Sequence, residues 1–158
     1  MIKISHRGNI DGPNPKYENS PNYIKKAIDL GYDVEIDVWY INKKIFLGHD
    51  QPDYQIDLQF LKNNKLWCHC KNIDALSLLL KEKVRCFFHN EDAATLTSDG
   101  YIWTYPGMKI TEMSICVMPE KNNWNIPENA AGFCSDYIEK EFKNISTTLE
   151  KKTYVLEI

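Results

Sequence analysis

The sequence contains no long apolar run. Its hydrophobic stretches last only a few residues, far short of the about 20 a membrane-crossing helix needs. The opening MIKISHRG has neither an apolar core nor a small-residue cleavage site, so no secretory leader is expected there. No repeat, low-complexity tract or linker interrupts the chain, and residues 1–158 are expected to form a single domain. There is no CxxC pair. The five cysteines lie inside apolar segments, and an odd number of such thiols suits a reducing compartment, so a cytoplasmic location is expected. Nor is there a basic excess: a formal net charge of −3 argues against a broad nucleic-acid footprint. With 43% hydrophobic and 26% charged residues, the composition is that of a globular protein. The expected partner is a small molecule, with no nucleic acid and no membrane insertion.

What is present is a recurring short β-like run with polar residues at its C-terminal end. Such runs are read at 2–6, 33–41, 44–48, 66–71, 84–89, 101–105, 114–118, 132–134 and 153–156. Helix signals fall between some of them. Ser20-Pro21 provides an N-cap with proline at the first helical position, and Gly31 provides a stop. Asp57–Asn63 fits a short helix, Asp74–Lys83 a longer one with a basic end suited to the helix dipole, and Glu139–Asn144 another short one. Strands alternating with helices predict an α/β fold with a parallel sheet. About eight strands suggest closure, although a full barrel of this kind takes about 250 residues. The expectation is therefore a compact, reduced (β/α) TIM-type barrel with several short or missing helices, an open α/β sheet being the alternative.

Side chains two apart on a strand share a face. In DVEIDVWY, Val34, Ile36 and Val38 form an apolar face, while Glu35, Asp37 and Trp39 point the other way. Two carboxylates on one interior face repel and are costly to desolvate, which a divalent cation would relieve. A pair of salt bridges would relieve it too. In LWCHCKN, Trp67, His69 and Lys71 share a face, with Cys68 and Cys70 packed on the other. A lone strand histidine is more often a satisfied core residue, but here it joins a lysine and an acidic pair. His6 and His49 each end a strand, so both are placed at one mouth as candidate general acid and base. Arg7 is a natural phosphate fork beside them.

The ordered set HRG, EN, EIDV and GHD resembles the glycerophosphodiester phosphodiesterase family, within the wider phosphatidylinositol-phosphodiesterase-like barrel superfamily. The resemblance is specific over residues 4–50 and extends to residue 72. It implies His6 and His49 as catalytic residues, and Arg7, Lys71 and Glu18 as substrate-binding ones. It also implies Glu35 and Asp37 as ligands of a divalent ion (Mg2+, Ca2+ or Mn2+). Tyr17 stands where the family's PEN element has proline. His69 stands where the family usually has a third carboxylate ligand. As a ligand, an imidazole there would favour Mn2+ or Zn2+ over Ca2+. The chain is also much shorter than the family's barrels.

The implied activity is metal-dependent phosphodiester cleavage with a histidine acid–base pair. The alternatives are an inactive phosphate- and metal-binding module, or a phosphodiesterase acting on a surface glycan or lipid. In the second half His89, Glu120 and Asp136 fall at strand ends and are weaker candidates, and Trp103 and Tyr105 could line a substrate wall or fill the core.

Overall fold

The computed structural model describes residues 1–122 and 124–140. The strand expected at 153–156 and most of the helix expected at 139–144 lie outside the described residues. Ten strands form one mixed sheet among the described residues: β1 (Ile2–His6), β2 (Asp33–Ile41), β3 (Lys44–Leu47), β4 (Tyr54–Ile56), β5 (Leu66–Cys70), β6 (Cys86–Phe87), β7 (Ala94–Leu96), β8 (Ile102–Thr104), β9 (Ser114–Val117) and β10 (Gly132–Ser135). The main path runs β4–β3–β2–β1–β10–β9–β8–β7, with β5 joined to β2 and β6 to β5.

The reduced (β/α) TIM-type barrel expected from the sequence does not form. Among the described residues the structure is mostly sheet, a curled half-barrel of mixed strands whose complete helical segments are short: α1 (Pro21–Asp29), α2 (Leu58–Leu61), α3 (Ile73–Lys81) and a 3₁₀ turn at Pro119–Asn122. A helical crossover, with its helix, needs at least about 10–12 residues. Among the described residues, only α1 and α3 serve that purpose, between β1 and β2 and between β5 and β6. Residues 105–113 join β8 to β9 without a helix, and the β9–β10 connection holds only the 3₁₀ turn.

Elsewhere hairpins replace crossovers. β2, β3 and β4 pair antiparallel in succession, as do β7 and β8. Asn42 and Lys43 turn β2 into β3 with φ of 51° and 61°, the two positive values a type I′ turn requires. Without the usual glycine, that turn carries little sequence signal, and periodicity alone does not tell parallel from antiparallel pairing. The strands β4 and β7 have no counterpart among the predicted runs.

The helix ends follow local chemistry. Ser20 is extended at the N-cap of α1 with Pro21 next, although its side chain makes no capping bond. Asp57 caps α2 by accepting from Phe60 N, and Asn72 caps α3 by accepting from Ala75 N.

Alternation then sorts the core into two faces. Val34, Ile36, Val38, Cys68 and Cys70 are buried with Ile24 and Ala27 of α1 and Leu79 of α3 on the outer face. On the inner face, Ile4, Trp67, Phe87, Trp103, Ile115 and Val117 pack together. Phe87 and Trp103 have ring centroids 4.6 Å apart, and Trp67 and Trp103 5.9 Å apart, separations at which tilted rings attract. This aromatic layer is a dry floor under the polar residues at the strands' C-terminal ends.

Candidate functional site

Parallel pairing aligns the polar strand residues. β1 and β2 set His6 opposite Glu35, and β2 and β5 set Asp37 opposite His69. After His6 the chain turns sharply, with Arg7 at φ 54° and Gly8 at φ 93°. The Arg7 N–H donates to the Glu35 carbonyl at 2.9 Å, which holds this left-handed turn against β2. A Cβ on Gly8 would come within 2.7 Å of the Tyr23 ring, so the turn needs glycine for space as well as conformation.

Asp37 is fully buried and crowded by donors. Asn19 Nδ2 donates to its Oδ2 at 2.9 Å, and Arg7 Nε lies 3.0 Å from the same oxygen. His69 Nδ1 lies 3.1 Å and Lys71 Nζ 3.4 Å from Oδ1. Burial alone would raise its pKa, but the His69 hydrogen bond and the Arg7 charge outweigh it and hold the carboxyl well below the usual range.

Glu35 behaves in the opposite way. Burial, then repulsion from Asp37, pushes its pKa up, and its Oε2 is buried without a hydrogen-bond partner. Adjacent carboxylates, one held charged and one pushed toward neutrality, mark this as a candidate site.

His69 sharpens the point. Its Nε2 lies 3.4 Å from the His89 carbonyl oxygen, which can accept only from an N–H. Its Nδ1 lies 3.1 Å from Asp37 Oδ1 and 3.9 Å from Glu35 Oε1, so the ring faces both carboxylates. One ligand atom from each of Glu35, Asp37 and His69 lies within 4.8 Å of the others. Two carboxylates, one of them with an unpartnered oxygen, and one imidazole make a donor set that fits a divalent ion.

His6 is clamped. Its Nδ1 hydrogen-bonds Asp136 Oδ1 at 2.7 Å, and its Nε2 lies 3.8 Å from Glu35 Oε2. Burial opposes the charged ring, but the Asp136 bond and the Glu35 charge prevail and raise its pKa. Asn9 Nδ2 donates to Asp136 Oδ1 at 2.8 Å and to Glu18 Oε1 at 2.9 Å. Glu18 Oε2 in turn accepts from Arg7 Nη1 at 3.2 Å. Glu18 thus braces Arg7 from behind.

His6, Arg7, Glu35, His49, His69 and Lys71 all line one cavity of about 310 Å³. Asp37 lies directly beneath, and Glu18 is not in the wall. His49 is more exposed than His6 and hydrogen-bonds Asp50 at 2.7 Å. The structure also brings in residues that the sequence marked weakly. His89 stacks on His69 with centroids 4.5 Å apart and meets the Tyr105 hydroxyl at 3.2 Å. Burial, followed by the His69 charge, pushes the His89 pKa down to about 4. Trp103 and Tyr105 also line the cavity. Trp103 is 2% exposed and belongs chiefly to the aromatic floor. Asp136 and Asn9 carry little signal in the sequence. The only signal for Asp136 was its place just after a strand.

No family model matches the chain, and neither a curated protein nor a solved structure matches it. Among the described residues, no helix is long and apolar enough to cross a membrane.

Proposed function

We propose that this protein cleaves small phosphodiesters with the aid of a divalent ion, in the manner of the glycerophosphodiester phosphodiesterases its N-terminal motifs resemble. The observation that carries this reading is the convergence of His6, Arg7, Glu35, His49, His69 and Lys71 on one cavity over the buried Asp37. Glu35, Asp37 and His69 would hold the ion, which when bound supplies positive charge against the phosphate's nonbridging oxygens.

Arg7 and Lys71 neutralise the remaining phosphate charge, and more of it as charge builds in the transition state. His6 Nε2 takes the proton of the attacking hydroxyl as its oxygen bonds to phosphorus. The attacking group is water or, following the resemblance, the substrate's own neighbouring hydroxyl. His49 gives a proton to the departing alkoxide as the other P–O bond breaks. Asp136 fixes the His6 ring so that Nε2 faces the cavity. The five free, buried cysteines support a cytoplasmic assignment.

A binding-only module is the second reading, favoured by the way Arg7, Lys71 and Asn19 already satisfy Asp37 without an ion. Release of 4-nitrophenolate from bis(4-nitrophenyl) phosphate separates the two, measured after chelation and after return of Mn2+, Mg2+ or Ca2+. The expected result is metal-dependent turnover that falls by about 10²–10⁴-fold in His6→Ala and in His49→Ala, both remaining folded. Phosphate and Mn2+ binding without turnover would establish the binding module instead.

A further inference from the structure

The cavity has two unlike walls. His6 and Arg7 at the end of β1, Glu35 on β2, and His69 and Lys71 at the end of β5 supply a charged one. The other comes from the ends of β6, β8 and β9: His89, Tyr105, Val117 and Met118, with no carboxylate and the exposed Lys121 as its one charged group. β6 and β8 do not pair with each other. The Tyr105 hydroxyl bridges them by meeting His89 Nε2 at 3.2 Å. His89 is held in turn by its stack on His69, 6° from parallel with centroids 4.5 Å apart, and by the Tyr105 ring edge-on at 5.3 Å. The hydroxyl is therefore fixed in the cavity wall. Burial, followed by the Glu35 charge, pushes its pKa up, so it keeps its proton.

The bond to His89 leaves this hydroxyl with capacity to spare. A phenol has one proton to donate and lone pairs with which to accept. If its proton points at His89, a lone pair is left for the cavity; if His89 donates instead, the O–H is left. An acceptor-only group such as a phosphate oxygen suits the second arrangement alone, and an ammonium group suits the first alone. An alcohol hydroxyl, donor and acceptor together, suits both. Beside it the Tyr105 ring, Val117 and Met118 offer apolar surface to a carbon skeleton, the usual mixture in a ligand site. We infer that Tyr105 is a specificity-determining residue whose hydroxyl, positioned by His89, binds a hydroxyl on the substrate's alcohol moiety, so that a polyol diester is preferred to an alkyl diester of the same length. This inference rests on the phosphodiesterase reading, which puts the phosphate against the charged wall.

The test compares two diesters of glycerol 3-phosphate, one carrying a second glycerol and one a propyl group, by kinetics and by calorimetric binding, on the full chain with Mn2+. For the wild type, KM and Kd should be about fivefold lower for the glycerol diester, as for one neutral hydrogen bond. The varied moieties are uncharged, so 0.5 M NaCl should leave the preference in place. Tyr105→Phe, which keeps the ring, should cut the preference to about twofold or less, through KM rather than kcat. His89→Phe keeps a ring against His69 but drops the bond to Tyr105, and should give an intermediate preference. Equal handling of the two diesters by the wild type, a preference that survives Tyr105→Phe, or an equal loss on both diesters overturns the inference, while cleavage upholds the phosphodiesterase reading. A Tyr105-dependent binding preference without cleavage upholds the hydroxyl contact and refutes the phosphodiesterase. If neither diester binds, both fall.

Discussion

Replacing Asp37 by Asn removes one negative charge from the most crowded point of the structure with little change of shape. Asn keeps an acceptor for Asn19 Nδ2, while its NH2 replaces the acceptor that faces His69 and Lys71. Arg7 at 3.0 Å, His69 at 3.1 Å and Lys71 at 3.4 Å lose their shared anion. Removing one partner of a buried pair costs about 3–5 kcal/mol. Two features place this case at the lower end. Arg7 keeps Glu18, and the side chains of Arg7 and Lys71 retain 18% and 17% of their exposure, so solvent screens part of the loss. A loss of about 3 kcal/mol lowers Tm by roughly 6–12 °C in a chain of this size.

The assay is thermal and urea unfolding of wild type and Asp37→Asn in the presence of EDTA, so that no metal contributes. The sign of the pH dependence follows from the depressed carboxyl. Its stabilisation is complete above the unfolded value near ~3.9 and is lost as pH falls through the lower folded value. The gap between the two proteins should therefore be constant from about pH 7 to pH 5 and close only below about pH 4. A Tm within about 2 °C of wild type at neutral pH would refute the assignment of Asp37 as the anchor of this cluster.

Asp136→Asn should lower the imidazole titration midpoint of His6 measured by NMR. His6 contributes stability that is complete below about 6.5 and lost as pH rises through its raised folded value. The variant should lose about 1.5–3 kcal/mol in acid and less in base, and an unmoved midpoint would remove Asp136 as its partner. His69→Glu should shift competition titrations toward Mg2+ and Ca2+ and away from Mn2+, while unchanged preference would leave His69 outside the coordinating set. Gly48→Ala should cost at least about 1–3 kcal/mol, because φ is +147° there and a Cβ would overlap the Gln51 carbonyl oxygen. His49 would also be displaced, so urea midpoints and turnover should both fall; a midpoint equal to wild type would show that the loop relaxes freely.

Much of the site was legible because it obeys short-range rules. Alternation along 33–41 and 66–71 placed Glu35, Asp37, His69 and Lys71 on one face and Val34, Ile36, Cys68 and Cys70 on the other, as the two faces of the core display. The bounds of β1 and β2, the Pro21 start of α1 and the short helix after Asp57 likewise depend on residues within a turn or two of each other.

Other features were settled only by tertiary structure, because they join residues that no local rule relates. Asp136 meets His6 only because β10 pairs beside β1, which sets Ser5 level with Ser135. Glu120 orients that junction from a turn whose importance appears only once β9 and β10 are neighbours. The pairing sense of β3 escaped the sequence for a similar reason. A period of two reports which face a side chain takes, while the direction of the neighbouring strand depends on the turn that delivers it. In this chain that turn was Asn42-Lys43, without the glycine that would have announced it.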